Sequence, residues 1–155
     1  MNSYSCYPLH LGGQAYRFNF HGSMDGPNAN IVYGGAILGN RGQIFDTHST
    51  MFHNGKRTTS NQNARLLLGE RNAATFLGFI RIPGGSKHSK GDQEIRSFLM
   101  GNNTRVHMMP FLECTGYELE CSHGATCADL DPEELFFMAC RGLGTEVGEK
   151  GAESS

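Results

Sequence analysis

Cys121 and His123 place a thiol and an imidazole two residues apart, in the segment Glu120-Cys121-Ser122-His123-Gly124-Ala125-Thr126. The segment follows a strand-like run, Tyr117-Glu118-Leu119. If the strand continues, both side chains point to one face, because direction in a strand repeats every second residue. One metal ion or one proton then has access to both. A thiolate is the form that binds metals and attacks electrophiles, and a neighbouring imidazole that holds positive charge lowers the cost of forming it. The bland alternative for Cys121 is a small buried hydrophobe, which residue type alone favours.

Cys114 and Cys127 flank the pair, and the four residues together make a tetrahedral set on paper for zinc or a cluster. Their spacing matches no C-x-x-C knuckle. Core packing is expected for Cys114, a turn position for Cys127 after Thr126, and a helical position for Cys140. His48 and His53 lie five apart, which sends them to opposite faces of a strand, so they are read as part of a polar row rather than a shared metal site. His10, His21, His88 and His107 have no spacing that argues beyond surface or packing roles.

At 155 residues the chain is the size of one domain able to bury a real core. A net charge of -2 and a pI near 6.4 give no drive toward nucleic acid. No apolar run approaches the roughly 20 residues needed to span a bilayer, so no membrane association is expected. The N-terminus shows no targeting pattern. Five cysteines, an odd number at irregular spacing, fit reduced thiols and a cytoplasmic location. There is no G-x-x-x-x-G-K-[ST] loop for ATP, and Gly34-Gly35 and Gly84-Gly85 read as tight turns.

What must position these residues is a series of short strands. The 21 glycines punctuate apolar bursts that predict strands at 15–21, 30–38, 43–52, 64–68, 75–82, 95–100, 106–114 and 117–122. Turn signals stand at Gly39-Asn40, Asn54-Gly55, Gly84-Gly85 and Gly101-Asn102-Asn103. One helix is expected, with Asp131 as N-cap, Pro132 at its first turn and Gly142 as its stop. Periodicity alone leaves sandwich, barrel and solenoid open, although the scarcity of N-G hairpin turns favours coiling.

The cysteine–histidine segment lies in a longer ordered series: Pro110-Phe111-Leu112-Glu113, Cys121-Ser122-His123-Gly124-Ala125-Thr126, Leu130-Asp131 leading into Leu135-Phe136-Phe137, and Arg141-Gly142. In this series the chain resembles the SufD branch of the SufB/SufD family, scaffold subunits of an iron-sulfur cluster assembly complex. The resemblance runs from about Tyr16 to Leu143. It implies an all-β fold, a right-handed parallel β-helix-like core with one short C-terminal helix, occupying 1–144, with a flexible polar tail at 145–155. It also implies that His123 and Cys121 are cofactor and metal ligands for a transient iron-sulfur cluster at an interface with a SufB-like subunit. Where SufB members carry an essential cysteine, the segment Gln93 to Met100 has none, which favours the SufD branch. Cys114 stands where the family more often has an aliphatic residue.

The resemblance implies no enzymatic activity in this chain, ATP hydrolysis belonging to a SufC-like ATPase. That subunit docks on a C-terminal helical segment, for which the tail offers no apolar stripe. Location in a plastid is the alternative to the cytoplasm if a transit peptide is missing. Two other functions compete: a truncated member that keeps the fold without assembly activity, and a β-helix carbohydrate-active enzyme. The latter needs acids converging on one face, whereas the acids here gather at the helix start and in the tail.

Overall fold

The computed structural model describes residues 2–129. It contains ten strands: β1 Ser3–Cys6, β2 Leu9–Leu11, β3 Ala15–Met24, β4 Asn30–Gly39, β5 Ile44–His53, β6 Thr59–Leu68, β7 Ala73–Ile82, β8 Lys90–Leu99, β9 Arg105–Cys114 and β10 Glu120–Asp129. Every pairing is parallel. One sheet runs β1-β4-β6-β8-β10, with β2 also on β4, and the other runs β3-β5-β7-β9. From β3 onward successive strands alternate between the sheets, so the chain winds as stacked coils of two strands each. This is the expected all-β parallel helix. Among the described residues there is no helix, and so none long and apolar enough to cross a membrane. The expected helix from Asp131, Cys140 and the tail at 145–155 lie outside the described residues.

Paired residues in neighbouring coils fall 27 to 32 positions apart, from Ser3↔Asn30 to Ala73↔Arg105. What repeats is the alternation of burial rather than residue identity. In β5 and β6 every second residue is buried, and Phe45, Met51, Leu66, Phe76, Ile80 and Ile95 form the dry centre between the sheets. The strand bounds differ from expectation where polar residues point inward. Ser60 and Gln62 extend β6 back to Thr59, and Gly91 and Gln93 extend β8 back to Lys90. The expected turn at Gly34-Gly35 is the middle of β4: the glycines are there because a Cβ on Gly34 would overlap the Tyr7 ring and one on Gly35 the Tyr33 ring. Gly84-Gly85 does fall in a corner.

Two columns of corners close the coils. One carries Asn28, Arg57, His88 and Glu118, all with φ between 55 and 62. The N–H groups of the first three are stacked on the next coil, with Asn28 donating to the Lys56 carbonyl at 3.0 Å, Arg57 to Lys87 at 2.9 Å and His88 to Glu118 at 3.0 Å. A left-handed conformation costs an ordinary residue roughly 1–2 kcal/mol, which these repeated hydrogen bonds offset.

The interior holds a polar seam as well as an apolar one. His53 is fully buried, its Nδ1 2.8 Å from Thr58 Oγ1 and its Nε2 2.8 Å from Ser60 Oγ. Thr58 Oγ1 continues to Ser89 Oγ at 2.9 Å, and Ser86 Oγ donates to the His53 carbonyl. Burial drives the His53 pKa down to about 4, so the ring is neutral. His48 points outward to Asp46, with Nε2 2.9 Å from Oδ1. The two histidines therefore occupy opposite faces as their spacing requires. Deeper in, Gln93 Nε2 donates to Gln62 Oε1 at 2.7 Å, passing over Gly78, where a Cβ would overlap the Gln93 amide.

Candidate functional site

The corner 115–119 joins β9 to β10. The run Tyr117-Glu118-Leu119, expected as strand, is this corner instead: Glu118 needs φ 62, and Tyr117 is 89% exposed. The strand begins at Glu120 and extends through Asp129, so Cys127 is a strand residue and not a turn residue. Side-chain parity in β10 follows from its register on β8. Cys121 pairs with Gly91, His123 with Gln93 and Cys127 with Ser97, all on the inward-facing positions of β8. Cys121 and His123 thus share a face, with their Cα atoms roughly 6.6 Å apart along the strand.

Outward-facing contacts hold that register. Lys90 Nζ meets Glu120 Oε2 at 2.6 Å, and Ser122 Oγ donates to Asp92. Among the described residues β10 has β8 as its one strand partner. Cys121 is half-buried against the core, whereas His123 and Cys127 are exposed. Beneath His123, one strand away, Gln93 Oε1 is buried without a hydrogen-bond partner among the described residues.

Cys114 does not pack in the core as expected. It closes β9 as an exposed residue, and the corner folds it back so that its Sγ lies 2.6 Å from Cys121 Sγ. Burial, then the hydrogen bond to Cys121, push the Cys114 thiol up from its ordinary range. Sequence reading missed this pairing because the two residues sit seven apart on different strands, and only the length of the corner brings them face to face. The four-residue set of Cys114, Cys121, His123 and Cys127 does not assemble. Cys127 is six residues further along β10 than Cys121, roughly 20 Å. Among the described residues no group of three or more His, Cys, Asp or Glu side chains is arranged to hold a metal ion. A thiolate and an imidazole are nonetheless donors that iron-sulfur clusters accept.

The family described as SUF system FeS cluster assembly, SufBD core domain, matches residues 2–150. The chain belongs to this SufBD core family. The iron-sulfur cluster assembly protein SufD of Escherichia coli is 26% identical over 140 residues, covering 90% of this chain and 33% of SufD. An iron-sulfur cluster assembly SufBD family protein of Synechocystis is 33% identical over 107 residues, covering 69% of this chain and 23% of that protein. The chloroplastic protein ABCI7 of Arabidopsis thaliana is 26% identical over 155 residues, covering 99% of this chain and 33% of ABCI7. The SufBD chain described here therefore spans a third or less of these relatives' length.

Proposed function

We propose that this chain is a non-enzymatic, SufD-like scaffold in iron-sulfur cluster assembly, which lends His123 and Cys121 to a nascent cluster completed by a SufB-like subunit. The observation that carries the reading is the shared face: Cys121 and His123 lie two residues apart on the same side of β10, a strand that among the described residues pairs with β8 alone. An iron-sulfur cluster needs further thiolates, and a partner seated on this face supplies them. The cluster is cargo that is assembled and passed on. Heterodimer formation, a SufBCD-type complex with a SufC-like ATPase, and a cytoplasmic or plastid setting belong to the same proposal.

Anaerobic reconstitution with iron and sulfide in the presence of a SufB-like partner tests it. His123→Ala is expected to abolish the visible cluster absorbance while the complex stays intact, and Cys121→Ala to weaken it. Absorbance equal to wild type in both variants would overturn the ligand assignment.

A further inference from the structure

We propose that Cys114 and Cys121 are a reversible redox modification site, a dithiol that a low-molecular-weight disulfide such as oxidised glutathione closes into an intrachain disulfide. Two sulfurs at 2.6 Å are about 0.6 Å from the S–S bond length of 2.03–2.05 Å. Both residues are free thiols. Cys114 ends β9 and Cys121 is the second residue of β10, so the five-residue corner between them is the only segment that has to adjust for the bond to form. Within that corner Thr115, Tyr117 and Glu118 are exposed. Cys114 is exposed, so a small disulfide reaches the pair from solvent.

The chemistry balances with that oxidant alone. One cysteine, as its thiolate, attacks a glutathione sulfur; the glutathione disulfide bond breaks, one glutathione thiolate leaves, and a mixed disulfide forms. The second cysteine gives its proton to solvent and attacks the protein sulfur of that mixed disulfide, expelling the other glutathione. Two protein thiols lose two electrons, and one glutathione disulfide becomes two thiols. Either sulfur can take the first step. Cys6 pairs in register with Tyr33, at the opposite end of the stack, and Cys127 lies far along β10, so neither competes for closure.

Closure ties β10 covalently to the end of β9 and leaves His123 free. It also removes the Cys121 sulfur as a donor, and this consequence alone rests on the proposed function. The bond itself is tested without iron. The reduced 155-residue chain is incubated with oxidised glutathione, remaining thiols are alkylated, and the protein is cut after glutamate. Cleavage at Glu113, Glu118, Glu120 and Glu133 puts Cys114 on one peptide and Cys121 with Cys127 on another, and fragmentation of the linked pair shows which of those two carries the bond. The expected result is one linked peptide pair, two hydrogens lighter than its parts, in about tenfold excess over glutathione adducts at either site. Dithiothreitol should return both thiols to alkylation. In Cys114→Ser, Cys121 should instead keep a stable glutathione adduct. Separate adducts on the two wild-type cysteines, links to Cys6 or Cys127, or two thiols still open to alkylation would each overturn the proposal. A linked pair in a protein whose His123→Ala and Cys121→Ala variants load cluster normally would uphold the redox site and overturn the ligand reading.

Discussion

Mild acid should destabilise this fold through one buried ring, His53. In the unfolded chain the imidazole titrates near 6.5, and in the folded chain burial depresses it to about 4. Because the folded pKa is the lower one, the stability owed to the neutral ring is complete above pH 6.5 and is lost as pH falls from there toward 4. Linkage gives the size: between pH 7.5 and 5.5 the unfolded state gains about 1.4 kcal/mol from this group. The window lies above the range where carboxylates titrate, so Asp25 and Glu94, whose pKa values are held low by hydrogen bonds, contribute little to it. His10, also lowered by burial, adds to the loss with the same sign. Comparison with His53→Gln removes that contribution. Urea denaturation at the two pH values should show wild type losing about 1.4 kcal/mol more than the variant. The hydroxyls of Thr58 and Ser60 offer a way for the reasoning to fail. If both rotate to accept from a doubly protonated ring, the imidazolium is solvated from within. Equal losses in wild type and variant would then refute desolvation as the controlling effect.

Gly78→Ala should destabilise by about 2–4 kcal/mol in the same urea assay, because the new methyl displaces the Gln93 amide and breaks its bond to Gln62. Glu118→Gly should raise stability by about 0.5–1 kcal/mol, seen as a Tm about 1–4 °C higher, since glycine relieves the left-handed strain at an exposed corner position. His123→Ala should leave the urea midpoint within about 0.5 kcal/mol of wild type, because the ring is exposed, while cluster loading with the partner falls. A large loss of stability in that variant would assign His123 to the fold.

The strands and the site were legible to different depths, and the reasons differ. Corners were readable wherever Gly or Asn marks them, as at Asn54-Gly55 and Gly101-Asn102-Asn103. The full length of the corner 115–119 was not readable, because Glu118 takes a left-handed conformation that its own chemistry disfavours. The start of β6 was hidden because Ser60 and Gln62 look like loop residues until His53 at the end of β5 and Gln93 on the neighbouring coil supply their partners. β1 and β2 were missed because they are short and carry little alternation. The common face of Cys121 and His123 followed from strand alternation alone, a local rule. The approach of Cys114 to Cys121 did not, because moving the start of β10 by one residue would turn Cys121 to the other face.

The stacked coils also make the protein a ruler. Each coil advances the structure by one strand spacing, roughly 4.8 Å, so from β4 through β6 and β8 to β10 the distance is about 14 Å. Because each coil touches only its neighbours, one of about 30 residues can in principle be added or removed without disturbing the rest. Such a change would carry His123 and Cys121 along the axis in whole steps, while the inward parity that pairs them stays the same. The reach of this core is therefore graduated in single coils, and the face that Cys121 and His123 share is not altered by its length.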